Sequence, residues 1–353
     1  MRDGGLAHEH WHPYYTPEEV AEIVACSSTT MLISARVPIH VRLYEHPHTA
    51  PTVVMAHGLL PYGLMLARLQ LPFFRAGFNV VQWDLPGFGQ SGGPRGGCTI
   101  PQVIETWKDA VTFAQARYGG PLYTVGFAED GVTCYYAHAN NPTIRAMTVH
   151  VLSEYGDPEN VHWQGPPWVV RLKTVALGIA SRLQPILSIK ATGAIPWDNV
   201  FGRPEDAPFR EVFESDPLRN ESFEFRLAYS MLRKLRPTVP FEECRTPVQL
   251  IASELSQIWP YRMNRRYFDR LGGPKDLVVL DGKPHWEFNR DFDENFCAHA
   301  IRWFKANGAA VAARFELQAP VTMPAEGALG RLTRAFQPDD VATGQPPEGR
   351  LLS

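Results

Sequence analysis

The sequence lacks several features that mark particular classes of protein. Its five cysteines are scattered over 353 residues and none forms a C-x-x-C pair, so reduced thiols are expected rather than a disulfide framework. A net charge of −3 provides no basic field for nucleic acid, and no nucleic-acid partner is predicted. Small metabolites, peptides and lipids are the partner classes that these absences leave open.

Signals for secretion and for membrane insertion are also missing. The opening residues, MRDGGLAHEHWHPYY, are polar and aromatic and contain no apolar signal-peptide core, which predicts a cytoplasmic protein. The most apolar stretch, residues 168–189, carries Arg171, Lys173 and Arg182 and contains Pro185. A run interrupted in this way predicts an amphipathic cap helix and no stable membrane insertion.

One histidine cluster has a spacing that could bind a metal. His8, His10 and His12 alternate near the start of the chain, but no pattern of acidic partners supports a site. A disordered, tag-like run is the favoured interpretation, so neither a metal nor a cofactor is predicted. Nothing in the sequence indicates an oligomeric state.

Short apolar segments alternate with amphipathic ones through most of the chain. TVVMAHG, FNVVQWDL, LYTVGF and AMTVHVL are typical of buried parallel strands, and PVQLIAS and DLVVL resume the pattern late in the sequence. An earlier stretch, TTMLISARVPIHVRLYEH, predicts an antiparallel pair or a bent strand, and Thr16 caps a short helix before it. The sequence therefore predicts an α/β fold, with a mostly parallel sheet flanked by helices and an inserted helical cap.

These patterns divide the chain into consecutive regions. The middle of the chain is rich in proline, tryptophan and polar residues and contains no strand-like run, so it interrupts the alternation. We predict, in chain order, an N-terminal helical extension at 1–27, the first part of the core at 28–156, the cap at 157–245, the second part of the core at 246–317 and a loosely ordered tail at 318–353.

Several motifs stand at the ends of the predicted strands. AHGLL (56–60), DLPGFGQSGG (84–93), VGFAEDGV (125–132) and LDGKPHWEFN (280–289) follow one another in the order and spacing of the α/β-hydrolase superfamily, which the chain resembles. SDPL (215–218) and the segment beginning TPVQLIASELSQIWP are similar to the monoacylglycerol lipase and lysophospholipase branch, of the serine aminopeptidase S33 type. The resemblance implies an α/β-hydrolase fold and an esterase-like or lipase-like active site.

The predicted nucleophile turn departs from the family pattern. In the frame G-x-nucleophile-x-G, the nucleophile position is Ala128 and the final glycine is Asp130, whose side chain we expect to point outward or to cap the next helix. The resemblance implies that the backbone N–H groups of Leu59 and Glu129 form the oxyanion hole. An ordinary turn that needs Gly58 for its dihedral angles is the alternative for AHGLL.

Of the two remaining positions of the predicted triad, the histidine matches the family and the acid does not. His285 matches the family's catalytic histidine, whereas the family's acid position falls on Ser256, whose hydroxyl cannot supply a negative charge. Glu154 and Glu254 are the candidate substitutes, and we favour Glu154 because Glu254 would have to reach back along its strand. Ala128, His285 and one of these glutamates are expected to converge at the carboxyl end of the sheet.

The ligand predicted from these features is a small apolar or acyl-type compound. The residues expected to contact it lie beside the motifs and on the cap: His57, Gly58, Phe127, Trp163, Trp168, Trp197 and Trp286. Hydrolysis of an ester, lactone or amide with a degenerate triad is the first hypothesis for function. Proton-transfer chemistry based on His285, of the lyase, cyclase or cofactor-free oxygenase type, and non-catalytic ligand binding are the alternatives.

Overall fold

An eight-stranded sheet forms the centre of the protein, in the strand order β1-β2-β4-β3-β5-β6-β9-β10. The computed structural model describes residues 11, 13–183, 187–191 and 203–318, and the side chains of 162–164 and 309–318 fall outside the description. The strands of the sheet are β1 (Ser27–Ser34), β2 (Val37–Tyr44), β3 (Thr52–Ala56), β4 (Asn79–Trp83), β5 (Leu122–Gly126), β6 (Ile144–Val149), β9 (Val248–Ser253) and β10 (Lys275–Leu280).

Six neighbouring strands of the sheet, in the order β4-β3-β5-β6-β9-β10, are parallel to one another. At the β4 edge, β2 pairs antiparallel with β4, and β1 pairs antiparallel with β2. Every residue of β3, β4 and β5 is buried, as expected for short apolar segments covered on both faces. The β1–β2 hairpin turns through Ala35 and Arg36, both with positive φ, which suits a two-residue loop. The predicted α/β-hydrolase fold class is confirmed.

Helices cover both faces of the sheet. In the described residues these are α1 (Pro17–Cys26), α2 (Ala67–Arg75), α3 (Ile100–Arg117), α4 (Asp130–His138), α8 (Tyr261–Arg270) and α9 (Arg290–Gln318). The predicted capping of α1 by Thr16 is found, because the Thr16 hydroxyl accepts from the amide of Glu19 and the Glu19 carboxylate accepts from that of Thr16. Within the described residues, no helix combines the length and the hydropathy needed to cross a bilayer.

The chain between β6 and β9 leaves the sheet and forms a separate layer. It contains α5 (Pro167–Leu183), α6 (Ala207–Ser215), α7 (Phe225–Leu232) and two short antiparallel strands, β7 (Ser188–Lys190) and β8 (Ser222–Glu224). The expectation that this region has no strands is therefore wrong. The predicted boundaries of the five regions remain a prediction, and the tail after Gln318 and the histidines at 8, 10 and 12 lie outside the described residues.

Candidate active site

The turn between β5 and α4 keeps a strained backbone although its apex residue is alanine. Ala128 has a φ of 54°, in the left-handed region that costs a residue with a Cβ roughly 1–2 kcal/mol. A Cβ added to Gly126 would lie 2.6 Å from the Cα of Gly131, and one added to Gly131 would lie 2.5 Å from the carbonyl oxygen of Val151. The close packing around these two glycines holds the turn, whatever side chain stands at its apex.

Asp130 begins α4 where the motif has its last glycine. Its side chain is buried and accepts hydrogen bonds from the Trp107 indole N–H at 3.0 Å and from the Thr133 hydroxyl. Burial raises the pKa of Asp130 well above its usual range, and these two hydrogen bonds oppose the rise. The expectation that this side chain points outward or caps the next helix is wrong, because the carboxyl turns towards α3 and makes no capping hydrogen bond among the described residues. Gly131 makes the close approach to the sheet instead.

The Glu129 carboxyl occupies one of the two predicted oxyanion donors. The Leu59 amide N–H donates to Oε1 of Glu129. Burial raises the pKa of Glu129 to about 7, while nearby backbone N–H groups oppose the rise. The expectation that both amides face a substrate oxygen is corrected at Leu59, whose amide holds a side chain of the protein itself.

His57 stabilises the loop before the oxyanion donors and does not face the ligand space. Its Nδ1 lies 2.6 Å from the carbonyl oxygen of Gly58, and its Nε2 accepts from the amide of Leu85 at 3.0 Å. The imidazole is fully buried, and burial lowers its pKa. Gly58 has a steric role, since a Cβ there would lie 2.7 Å from Oε2 of Glu129. The predicted ligand contacts at His57 and Gly58 are thus replaced by structural ones.

Ala128, Glu129 and His285 line one cavity of about 470 Å³ beneath the layer formed by α5, α6 and α7. Its wall is mainly apolar, and its aromatic members are Phe127, Phe209, Phe213, Phe223, Phe225, Trp259, Trp286 and Phe288. Phe209 on α6 stacks on Phe288 with 3.6 Å between ring centroids. This contact joins the separate layer to the loop that carries His285.

The tryptophans predicted to bind ligand differ in their positions. Trp286 lies in the cavity wall, as does Phe127. Trp168 does not, because its side chain is 67% exposed on the outer face of α5. The side chain of Trp163 and the whole of Trp197 lie outside the described residues. The sequence missed Trp259, which stands directly before the proline of the SELSQIWP segment and lines the cavity.

His285 has no hydrogen-bond partner for its imidazole among the described residues. Burial lowers its pKa to about 4, which leaves the ring neutral at physiological pH. Its closest aromatic neighbour is His150, whose ring lies parallel at 4.7 Å between centroids. His150 is buried, and its Nε2 lies 3.3 Å from the Ser253 hydroxyl. Sequence reasoning missed His150, although its place directly after β6 at the carboxyl end of the sheet could have marked it.

The favoured acid, Glu154, is engaged elsewhere. Its carboxylate accepts from Nη1 of Arg270 on α8 at 3.0 Å and makes no contact with His285. The expectation that Glu154 orients His285 is therefore wrong in this structure. An accessible guanidinium on a neighbouring helix forms a charge-assisted pair that a neutral imidazole cannot match.

The two other acid candidates are also directed away from His285. Glu254 is exposed and accepts from the amide of Gly282 at 2.8 Å, which fixes the turn after β10. Ser256 is buried, and its hydroxyl accepts from the amide of Trp259 at 3.0 Å. Among the described residues, no carboxylate takes the place of the family's acid.

Comparisons with known proteins agree with this fold. The model of the family described as serine aminopeptidase, S33, matches residues 47–289. The chain is similar to the structure of monoacylglycerol lipase from Paleococcus ferrophilus, with 22% identity, a TM-score of 0.59 and coverage of 76% of this chain and 99% of that one. It is also similar to a thermostable carboxyl esterase from Bacillus coagulans, with 14% identity, a TM-score of 0.65 and coverage of 80% and 99%.

A third similar structure is DcsB in complex with its substrate analogue, with 18% identity, a TM-score of 0.63 and coverage of 80% of this chain and 99% of that one. No curated protein matches the chain. At these identities the structural likenesses show a shared fold. The chemistry must be inferred from the residues of the cavity.

Proposed function

The chain belongs to the serine aminopeptidase S33 family, and on that premise we propose that it binds a small apolar compound without forming an acyl-enzyme. A single observation carries this proposal: alanine stands at the nucleophile position, and the carboxyl of the next residue, Glu129, accepts from the amide of Leu59. A methyl group stands where a reactive oxygen or sulfur would project, so the apex cannot attack a carbonyl carbon. The Leu59 donor that would stabilise the resulting oxyanion is bonded to the Glu129 carboxyl.

The cavity itself supports an apolar ligand. Its volume of about 470 Å³ lies within the roughly 300–1,000 Å³ range of small-molecule sites. Aromatic and aliphatic side chains dominate its wall, and burial of a ligand against them would be the main driving force for binding. The likeness to lipase and esterase structures is consistent with an apolar or acyl-type compound.

Proton transfer is the chemistry that the remaining polar groups could perform. Glu129 has a pKa of about 7, and a catalytic acid or base is most effective when its pKa lies near the working pH. The neutral imidazole of His285 opens onto the same cavity, but its pKa of about 4 makes it a weak base, so Glu129 is the group suited to the transfer. We therefore favour a proton-transfer reaction of the lyase or cyclase type over hydrolysis through a serine ester.

Non-catalytic binding is the second candidate, and one observation favours it. The imidazole of His285 has no carboxylate to select its tautomer among the described residues, and an unoriented base is a poor catalyst. The two candidates share the ligand-binding step. They differ in whether a bound ligand is converted to a product, which mass spectrometry of ligand mixtures incubated with the protein would detect.

A fluorophosphonate probe and p-nitrophenyl esters test the absence of an acyl-enzyme. We expect no covalent label and no burst from the wild type, and none from Ala128→Ser, because the Glu129 carboxyl still occupies the amide of Leu59. Ala128→Ser combined with Glu129→Ala should become labelled, since it supplies a hydroxyl and frees that amide. A burst from the wild type would overturn the proposal.

Displacement of Nile red tests the ligand cavity. Ala180 lies in its wall on α5, whereas Ala207 is exposed on α6 and does not line it. We expect Ala180→Trp to weaken dye binding at least tenfold and the control Ala207→Trp to leave it unchanged. Equal dye binding by both variants and the wild type would place the dye elsewhere and refute the cavity as the apolar site.

A further inference from the structure

The polarity of the cavity floor is opposite to that expected for the family's fold. A free oxyanion hole presents N–H donors, which recognise an acceptor such as a carbonyl oxygen. Here the amide of Leu59 donates to the Glu129 carboxyl. An ionised carboxylate has only acceptor capacity, so the group that a ligand meets at this point is an acceptor.

The Glu129 carboxylate also lacks a counter-ion in the described part of the chain. No lysine, arginine or histidine there forms an ion pair with it, and its pKa is shifted by burial and by backbone N–H groups, with no cationic side chain among the causes. Its side chain is nevertheless partly exposed and lines the cavity. A carboxylate has about four lone-pair positions, so the bond from the Leu59 amide leaves acceptor capacity that faces the ligand space.

From these observations we infer that the cavity selects an apolar amine, whose ammonium group donates to Glu129 while its hydrocarbon part contacts the aromatic wall. An ammonium group supplies both the hydrogen-bond donors and the charge that the buried carboxylate lacks. A fatty acid would instead bring a second negative charge to the same point. An ester would present a carbonyl oxygen beside a carboxylate that already occupies the Leu59 donor.

The inference rests on the proposed apolar ligand site and specifies the head group that this site accepts. Lys173, the other charged residue of the wall, lies on α5, and α5 belongs to the opposite layer of the cavity. The two charges therefore come from different sides of the ligand space. Of the two, Glu129 is the one placed beside Ala128 at the floor.

A series of ligands with equal numbers of non-hydrogen atoms tests the inference by displacement of Nile red: octylamine, octanol, methyl hexanoate and nonane. We expect octylamine to bind at least about tenfold more tightly than methyl hexanoate, the difference that a hydrogen bond to a charged group commonly makes. In Glu129→Gln this preference should disappear while nonane binds as before. The control Glu254→Gln removes an exposed carboxylate outside the cavity and should keep the preference.

The outcomes separate this inference from the function on which it rests. If all four ligands bind with equal affinity, if the ester binds best, or if Glu129→Gln keeps the amine preference, the inference is wrong and the apolar site stands. If neither the ligands nor the dye bind to the wild type, the proposed function itself fails. Glu129→Ala serves as a second variant in case the glutamine variant does not fold, and it should lose the amine preference in the same way.

Discussion

Replacing Glu129 by glutamine should make the protein more resistant to unfolding at alkaline pH than the wild type. The glutamine oxygen can still accept from the amide of Leu59, so the substitution removes the ionisable group and keeps the main hydrogen bond. At acidic pH the wild-type carboxyl is protonated and equally neutral. The two proteins should then have similar free energies of unfolding.

The magnitude follows from the two pKa values of Glu129. The pKa is about 7 in the folded protein and 4.5 for an ordinary glutamate, so ionisation destabilises the fold by about 3 kcal/mol, at ~1.36 kcal/mol per pKa unit. The sign is that of a buried acid with a raised pKa. Stability is fully present below pH 4.5 and is lost as the pH rises through about 7. Between pH 5 and 9, the variant should gain roughly 2–3 kcal/mol relative to the wild type.

Urea denaturation of both proteins across this pH range measures the effect. Other groups that titrate, such as Asp293, are common to both proteins and cancel in the difference. Glu254→Gln is the matched control, because it removes an exposed carboxylate and should retain the alkaline loss of stability that Glu129 causes. If the difference in free energy of unfolding between wild type and variant stays constant from pH 5 to 9, burial does not raise the pKa of Glu129 and the reasoning is refuted.

Three further predictions concern the turn between β5 and α4 and the imidazole of His285. Ala128→Gly should change the free energy of unfolding by less than about 1 kcal/mol, because relief of the left-handed strain offsets the added entropy of the unfolded chain. The control Ala110→Gly inside α3 should cost about 1 kcal/mol or more, and equal losses in chemical denaturation would contradict the prediction. Trp107→Phe should destabilise the protein by roughly 1–3 kcal/mol, since the buried carboxyl of Asp130 loses a hydrogen-bond donor, and an unchanged unfolding midpoint would argue against that contact. Glu154→Gln should leave the NMR-determined pKa of His285 unchanged, because the carboxylate of Glu154 pairs with the guanidinium of Arg270. A lowered pKa would show that Glu154 orients His285 after all.

The sequence was sufficient for the fold because hydrophobic periodicity and motif order are local properties. Runs such as Thr52–Ala56 and Asn79–Trp83 can be recognised as buried strands from their residues alone, and all of their residues are buried. The two short strands at Ser188–Lys190 and Ser222–Glu224 were missed for the opposite reason. Each has only three residues, and they pair across more than thirty positions of the chain, so no local pattern announces them.

The candidate site was harder to predict because side-chain direction depends on tertiary packing. The motif correctly marks Glu129 as the residue after the apex, but it refers to the backbone N–H of that residue. Whether the side chain turns outward or folds back onto Leu59 depends on the space beside Gly58. Similarly, Glu154 follows β6 as the pattern suggests, and only the position of Arg270, which is 116 residues later in the chain, explains why its carboxylate pairs with a guanidinium.

The strained turn at Ala128 also bears on how such a site could change during evolution. Any alanine codon becomes a serine codon by one substitution at its first base, and any glutamate codon becomes an alanine or glycine codon by one substitution at its second. Two point mutations would therefore place a hydroxyl on a backbone that already has the required dihedral angle, facing an amide at Leu59 that is no longer occupied. The carboxylate missing beside His285 would still have to be supplied, because the carboxylates of Glu154 and Glu254 are bonded elsewhere.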